Sequence, residues 1–226
     1  MRPPSPHNGH RQRLRARFLK GGSGALADYE MLELVLFMAL PRQDVKPLAK
    51  ALIKRFGSYA GAISADRAEL MALDGVGDSV VTTLKVVRES ALLLGRESLL
   101  GRPVLANWQS LIDYCRAAMG FEKTEQFRIL FLNRKNALIA DEMQQTGTVD
   151  HTPVYPREVI KRALELGASA IIMVHNHPSD EARPSKDDIA MTKNVRDAGE
   201  KLGIVLHDHI IVTKAAHSSF KAMGLL

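Results

Sequence analysis

The chain has 226 residues, room for one large domain or two small ones, and its 46% hydrophobic and 25% charged content is that of an ordinary globular protein. The longest apolar stretch, residues 34–40, is far below the roughly 18 residues a membrane helix needs, and the one cysteine, Cys115, excludes an internal disulfide framework and a thiolate-rich zinc cluster. The net charge of +6 sits entirely in residues 1–20, which hold six basic side chains and no acid; the remaining 25 basic residues are matched by 25 acidic ones.

Residues 1–20 therefore read as a basic N-terminal arm. Its arginines, Arg11 and Arg13 among them, are candidates for DNA phosphate contacts, while a solvated terminus explains the same charges. No apolar h-region follows Met1, so no secretory signal is expected, and the protein is expected in the cytoplasm without membrane contact. Over 21–95 the apolar spacing is helical. Asp28 is placed to cap a helix through Leu32, Val35 and Leu36, and Asp44 to cap one through Leu48, Leu52 and Phe56 that Gly57 closes. Ser64 or Asp66 opens a short helix, and another runs from about Asp78 to Leu94. Residues 96–101 read as a linker.

From 102 to 226 the pattern alternates between helix and strand. Asn107 caps a helix through Leu111, Tyr114 and Ala118, and Gly120 stops it. Residues 127–132 form an apolar strand, 133–136 a hairpin turn, and 137–145 the returning strand. Pro156 starts a helix ending at Gly167; then come a strand at 170–175, a helix at 185–202 and a strand at 204–212. The fold class is α/β: a mixed sheet with flanking helices, preceded by an all-α domain.

In the strand that ends His175-Asn176-His177-Pro178, alternate residues share a face, so both imidazoles point the same way and Asn176 points away. Pro178 ends the pairing and leaves the histidines at the rim of the sheet. Ser185-Lys-Asp-Asp188 opens the next helix and brings Asp188 into its first turn. Two imidazoles and a carboxylate are three zinc ligands with a fourth position open, the pattern of a catalytic rather than a structural site. A Ser185–Asp188 capping pair beside two ordinary histidines is the competing reading. His207-Asp208-His209 repeats His-x-His without the proline or the Ser-x-x-Asp; His209 is a candidate to orient a ligand from behind, or a satisfied buried histidine.

The string from His175 to Asp188 matches the JAMM signature of MPN-type metallopeptidases. With Gly147-Thr148, Pro156-Arg-Glu-Val159 and Asp208-His209-Ile-Ile211, it resembles the bacterial RadC family over nearly the whole chain. The resemblance implies a JAMM-type α/β sandwich over 102–226 after a UPF-type helical domain ending in a helix-hairpin-helix. It implies Zn2+ on His175, His177 and Asp188, with Ser185 stabilising the oxyanion. Asp180 departs from it, standing where the family commonly has glycine.

The same likeness implies a zinc-dependent hydrolase, in which the ion's water attacks an amide or isopeptide bond of a protein or peptide and a glutamate acts as base. Candidates are Glu125, Glu142 and Glu158. Glu125 sits just before the first core strand, where JAMM proteins carry the base; Glu142 is the second choice, and Glu158 fits a helix-dipole role. Leu73-Asp74-Gly75-Val76-Gly77 resembles the hairpin of helix-hairpin-helix DNA-binding domains, whose glycine N–H groups hold a phosphate. Here Asp74 replaces proline, Val81 replaces a small residue, and Asp78 brings a second carboxylate to that position. A DNA-processing protein using the same metal and a catalytically silent MPN scaffold are the rival functions. A zinc nucleobase deaminase would need Pro-Cys-x-x-Cys and is excluded.

Overall fold

The computed structural model describes residues 6–146 and 154–226, in two compact units, Met1–Ala91 and Leu92–Leu226. Arg2, Gly147 and Thr148 lie outside the described residues.

The first unit is helical: α1 (Pro6–Gly21), α2 (Asp28–Ala39), α3 (Lys46–Phe56), α4 (Tyr59–Ser64), α5 (Arg67–Met71) and the start of α6 (Asp78–Leu99). Leu32, Leu36, Leu52, Leu70 and Leu84 fill its core. Three sequence expectations change here. Most of the arm is helix α1, held by its own side chains: Leu14 is 1% exposed within the core. The Arg11 guanidinium donates to the carbonyls of Leu40 and Gln43 and lies 4.3 Å from the centre of the Phe37 ring. Arg17 pairs with Glu30 at 2.8 Å and His10 with the buried Glu33 at 2.6 Å. The charges read as an arm therefore share a helix with an apolar anchor, which the charge count could not reveal.

Asp28 is the second correction. Ala27 precedes the first turn of α2, while the Asp28 carboxylate accepts the N–H of Tyr59, the first residue of α4. The third concerns the linker, because α6 continues to Leu99 and Leu100 bridges to Leu138. Gly95 costs helix propensity but does not end a helix whose residues on either side of it, Leu92 and Leu99, pack on the second core.

The second unit carries the sheet: β1 (Gln126–Leu132), β2 (Leu138–Thr146), β3 (Ala170–Asn176), β4 (Val205–Val212) and β5 (His217–Ser219), with α7 (Trp108–Met119), α8 (Pro156–Glu165) and α9 (Lys186–Glu200). The order is β2-β1-β3-β4-β5; β3 and β4 are parallel and the other neighbours antiparallel, giving a mixed sheet. Alternation along the strands divides two cores. Leu130, Ile172, Val174 and Ile210 face α7, while Ile129, Phe131, Ile171 and Met173 face α8 and α9. The short edge strand β5 has no counterpart in the sequence reading. Three polar residues carry little period-2 signal.

Leu14→Ala should lower the unfolding free energy of the first unit by about 2–5 kcal/mol, the cost of a core leucine truncated to alanine. A truly solvated arm would leave it unchanged, so urea denaturation followed by circular dichroism distinguishes the two.

Candidate metal centre

The three residues singled out from the sequence converge at the end of β3. His175 Nε2 lies 2.9 Å from His177 Nε2 and 3.3 Å from Asp188 Oδ1, and His177 Nε2 lies 3.7 Å from Asp188 Oδ2. A tetrahedral ion with bonds of about 2.0–2.1 Å separates its ligand atoms by about 3.3 Å. With one ligand atom from each residue the set lies within 4.8 Å, and two imidazoles with a carboxylate are ligands that zinc takes, so the donor set fits zinc.

Each ligand is held from behind. His177 Nδ1 faces the Glu181 carbonyl at 2.8 Å and must donate to it, which leaves a lone pair on Nε2. Asp188 is in the capping box of α9, where Ser185 N–H and Oγ–H both donate to Oδ2 at 2.7 Å and Ser185 Oγ accepts the Asp188 N–H. The competing capping reading and the ligand reading thus describe one geometry: the cap occupies Oδ2 and turns Oδ1 toward His175. Behind His175, its Nδ1 meets His209 Nε2 at 2.8 Å, and His209 Nδ1 meets Thr192 Oγ at 2.6 Å.

Burial pushes the His175 imidazole down to about 4 and the His209 imidazole well below the ordinary histidine range. The Asp188 carboxylate beside it raises His177. Burial alone would raise Asp188, but the nearby His177 and His175 and both bonds from Ser185 hold its carboxyl well below the usual range. In the metal-free protein this sets an acid limit. Above about pH 6.5 His175 and His209 are neutral in the folded and unfolded states alike, and they cost nothing. As pH falls from about 6.5 toward 4, the unfolded chain takes up protons that the folded one refuses, so stability should drop across that window. Urea midpoints of metal-free protein that stay flat between those two pH values would contradict it.

The three glutamates separate clearly. Antiparallel pairing sets Phe127 opposite His175. Glu125 lies one residue ahead of β1, and its negative charge contributes to raising His177. Asn176, the residue between the two histidines, is 1% exposed and clamps that segment: its Oδ1 accepts the Gln126 N–H at 2.7 Å and its amide donates to the Thr124 carbonyl at 3.1 Å. Glu142 instead points to α8, where Arg162 donates to both of its oxygens and lowers its pKa. Glu158 pairs with Arg157 at the surface.

Asp180 has φ 65°, in the left-handed region, which explains glycine in that place; aspartate tolerates it, and here its Oδ1 also accepts the Lys214 N–H. In the first unit, Gly75 has φ 85° in the α5–α6 turn, and Gly77 immediately precedes α6. Asp78 is paired with Arg67 at 2.8 Å. Arg11 is committed within the fold, while Arg13 and Arg15 are exposed. Sequence reasoning overlooked Thr192 and the clamp made by Asn176. Thr192, four residues after Asp188 on α9, was open to discovery by helical spacing.

Residues 105–225 match a family described as RadC-like JAB domain. The chain is 60% identical over 213 residues to a UPF0758 protein of Rhodobacter capsulatus, an alignment covering 94% of this chain and 100% of the relative. It is 53% identical over 223 residues to UPF0758 protein SPO0054 of Ruegeria pomeroyi, covering 99% of this chain and 100% of the relative.

Proposed function

The chain belongs to the RadC family, within the JAB/MPN superfamily, and from that premise we propose that it is a zinc-dependent hydrolase of amide or isopeptide bonds in a protein or peptide substrate. One observation supports the reading above the others: two imidazole nitrogens and a carboxylate oxygen, acceptors all, are turned toward one point by hydrogen bonds behind them. Three like acceptors facing one another are mutually repulsive without a cation between them.

His175, His177 and Asp188 would hold zinc. Bound there, zinc supplies Lewis acidity and a water acidic enough to ionise near neutral pH. Glu125, whose charge acts on His177, takes the proton and returns it to the leaving amine. The segment carrying it is fixed by Asn176, so the carboxylate is positioned before substrate arrives. Ser185, at the mouth of α9, exchanges its bond to Asp188 Oδ2 for one to the developing oxyanion.

The test is zinc content by elemental analysis together with cleavage of peptide and isopeptide substrates. One zinc per chain is expected, lost in the His175→Ala, His177→Ala double variant. Full retention in that variant, or wild type without zinc after supplemented refolding, sinks the proposal.

A further inference from the structure

We infer that Thr192 and His209 set the hydrogen positions of this site, so that His175 presents a bare Nε2 to the cation. The inference rests on the zinc reading above and comes from counting hydrogens along one buried chain of contacts. Thr192 Oγ lies 2.5 Å from the backbone carbonyl oxygen of Asp188, which can only accept, so the hydroxyl donates there. That spends its one hydrogen. Toward His209 Nδ1, 2.6 Å away, Thr192 Oγ can then only accept, and His209 carries its hydrogen on Nδ1.

His209 is fully buried, with the Phe127 ring 5.6 Å and the Phe220 ring 4.4 Å from its own, centre to centre. An imidazole in such surroundings keeps a single hydrogen, so Nε2 is an acceptor. It lies 2.8 Å from His175 Nδ1, which therefore donates. The lone pair of His175 is left on Nε2, the nitrogen that faces His177 and Asp188. The opposite arrangement, with hydrogen on His175 Nε2, would need His209 flipped to its other tautomer and two acceptors opposed at Thr192.

The relay closes on the residue from which it starts. The Asp188 backbone carbonyl fixes the direction of the hydrogens, and the Asp188 carboxylate stands beside the nitrogen they expose. Thr192 and His209 are positioning residues: both act through His175.

Long-range 1H–15N correlation spectra of the metal-free full chain at about pH 8, above the ordinary histidine range, read the ring tautomers directly. Hydrogen on Nδ1 is expected for both His175 and His209; hydrogen on His175 Nε2 overturns the inference, whatever the metal does. The second arm is Zn2+ affinity by competition with a chromophoric chelator. Thr192→Val keeps the shape and removes the hydroxyl; it should bind zinc roughly 10–100-fold more weakly and show His175 partly as the other tautomer. Thr192→Ser restores the hydroxyl and should recover most of the affinity. Equal affinities for wild type and Thr192→Val overturn the relay and leave the zinc reading standing. Wild type that shows the expected tautomers but takes up no zinc overturns the zinc reading instead. If Thr192→Val fails to fold, the wild-type spectrum decides by itself.

Discussion

Glu125→Gln is expected to keep both fold and zinc while turnover falls roughly a hundred- to ten-thousand-fold, or about 3–5 kcal/mol of barrier. Glutamine preserves the shape of the side chain and the backbone that Asn176 holds through Gln126 and Thr124, so zinc affinity should hardly move. What is lost is an acceptor basic enough to take a proton at neutral pH. Glu142→Gln is the control. Its carboxylate is engaged by Arg162 on α8, so the change removes only a solvent-screened surface ion pair and should leave turnover close to wild type. A dead Glu142→Gln beside an active Glu125→Gln would transfer the role of base to β2. Two active variants would remove the carboxylate-base mechanism altogether.

Asp188→Asn should abolish zinc binding and activity together, yet leave the metal-free fold nearly as stable as wild type. An asparagine carbonyl can still accept from Ser185 N–H and Oγ, so the start of α9 stays capped. Its amide nitrogen then faces His175 Nε2 in place of Oδ1 and donates where a cation was to sit. For wild type, free zinc at about a thousand times its dissociation constant adds about 4 kcal/mol of stability, a Tm rise of roughly 8–16 °C. Asp188→Asn should show no zinc-dependent rise. A variant whose Tm climbs with zinc as wild type does would mean that the ion is held without this carboxylate. Ser185→Ala gives the contrast: it removes the cap at about 1 kcal/mol and keeps the ligand atoms.

The sequence by itself determined most of the helices and strands of the second unit, though not β5 or the end of α6, and the cluster of His175, His177 and Asp188. Both depend on short-range geometry. Residues i and i+2 of a strand share a face, Pro178 ends that strand, and a serine three places before an aspartate opens a helix with the aspartate in its first turn. Such relations survive whatever the chain packs against.

The tertiary structure decided everything that depended on partners distant in the chain. Three glutamates stood as candidates for the base. Glu125, one residue ahead of β1, acts on His177 through its charge, while Arg162 on α8 engages Glu142. His209 read first as an ordinary buried residue and second as a helper, until the parallel pairing of β3 with β4 put it behind His175. Asp28, a good cap by residue type, serves Tyr59 on α4, 31 residues away, and the arginine-rich start of the chain folds down because Leu14 has a core to enter. In each case the local preferences of residue and period leave several arrangements nearly equal in energy. Burial of apolar side chains from distant elements breaks the tie, and the polar contacts then form between whichever groups that packing brings together.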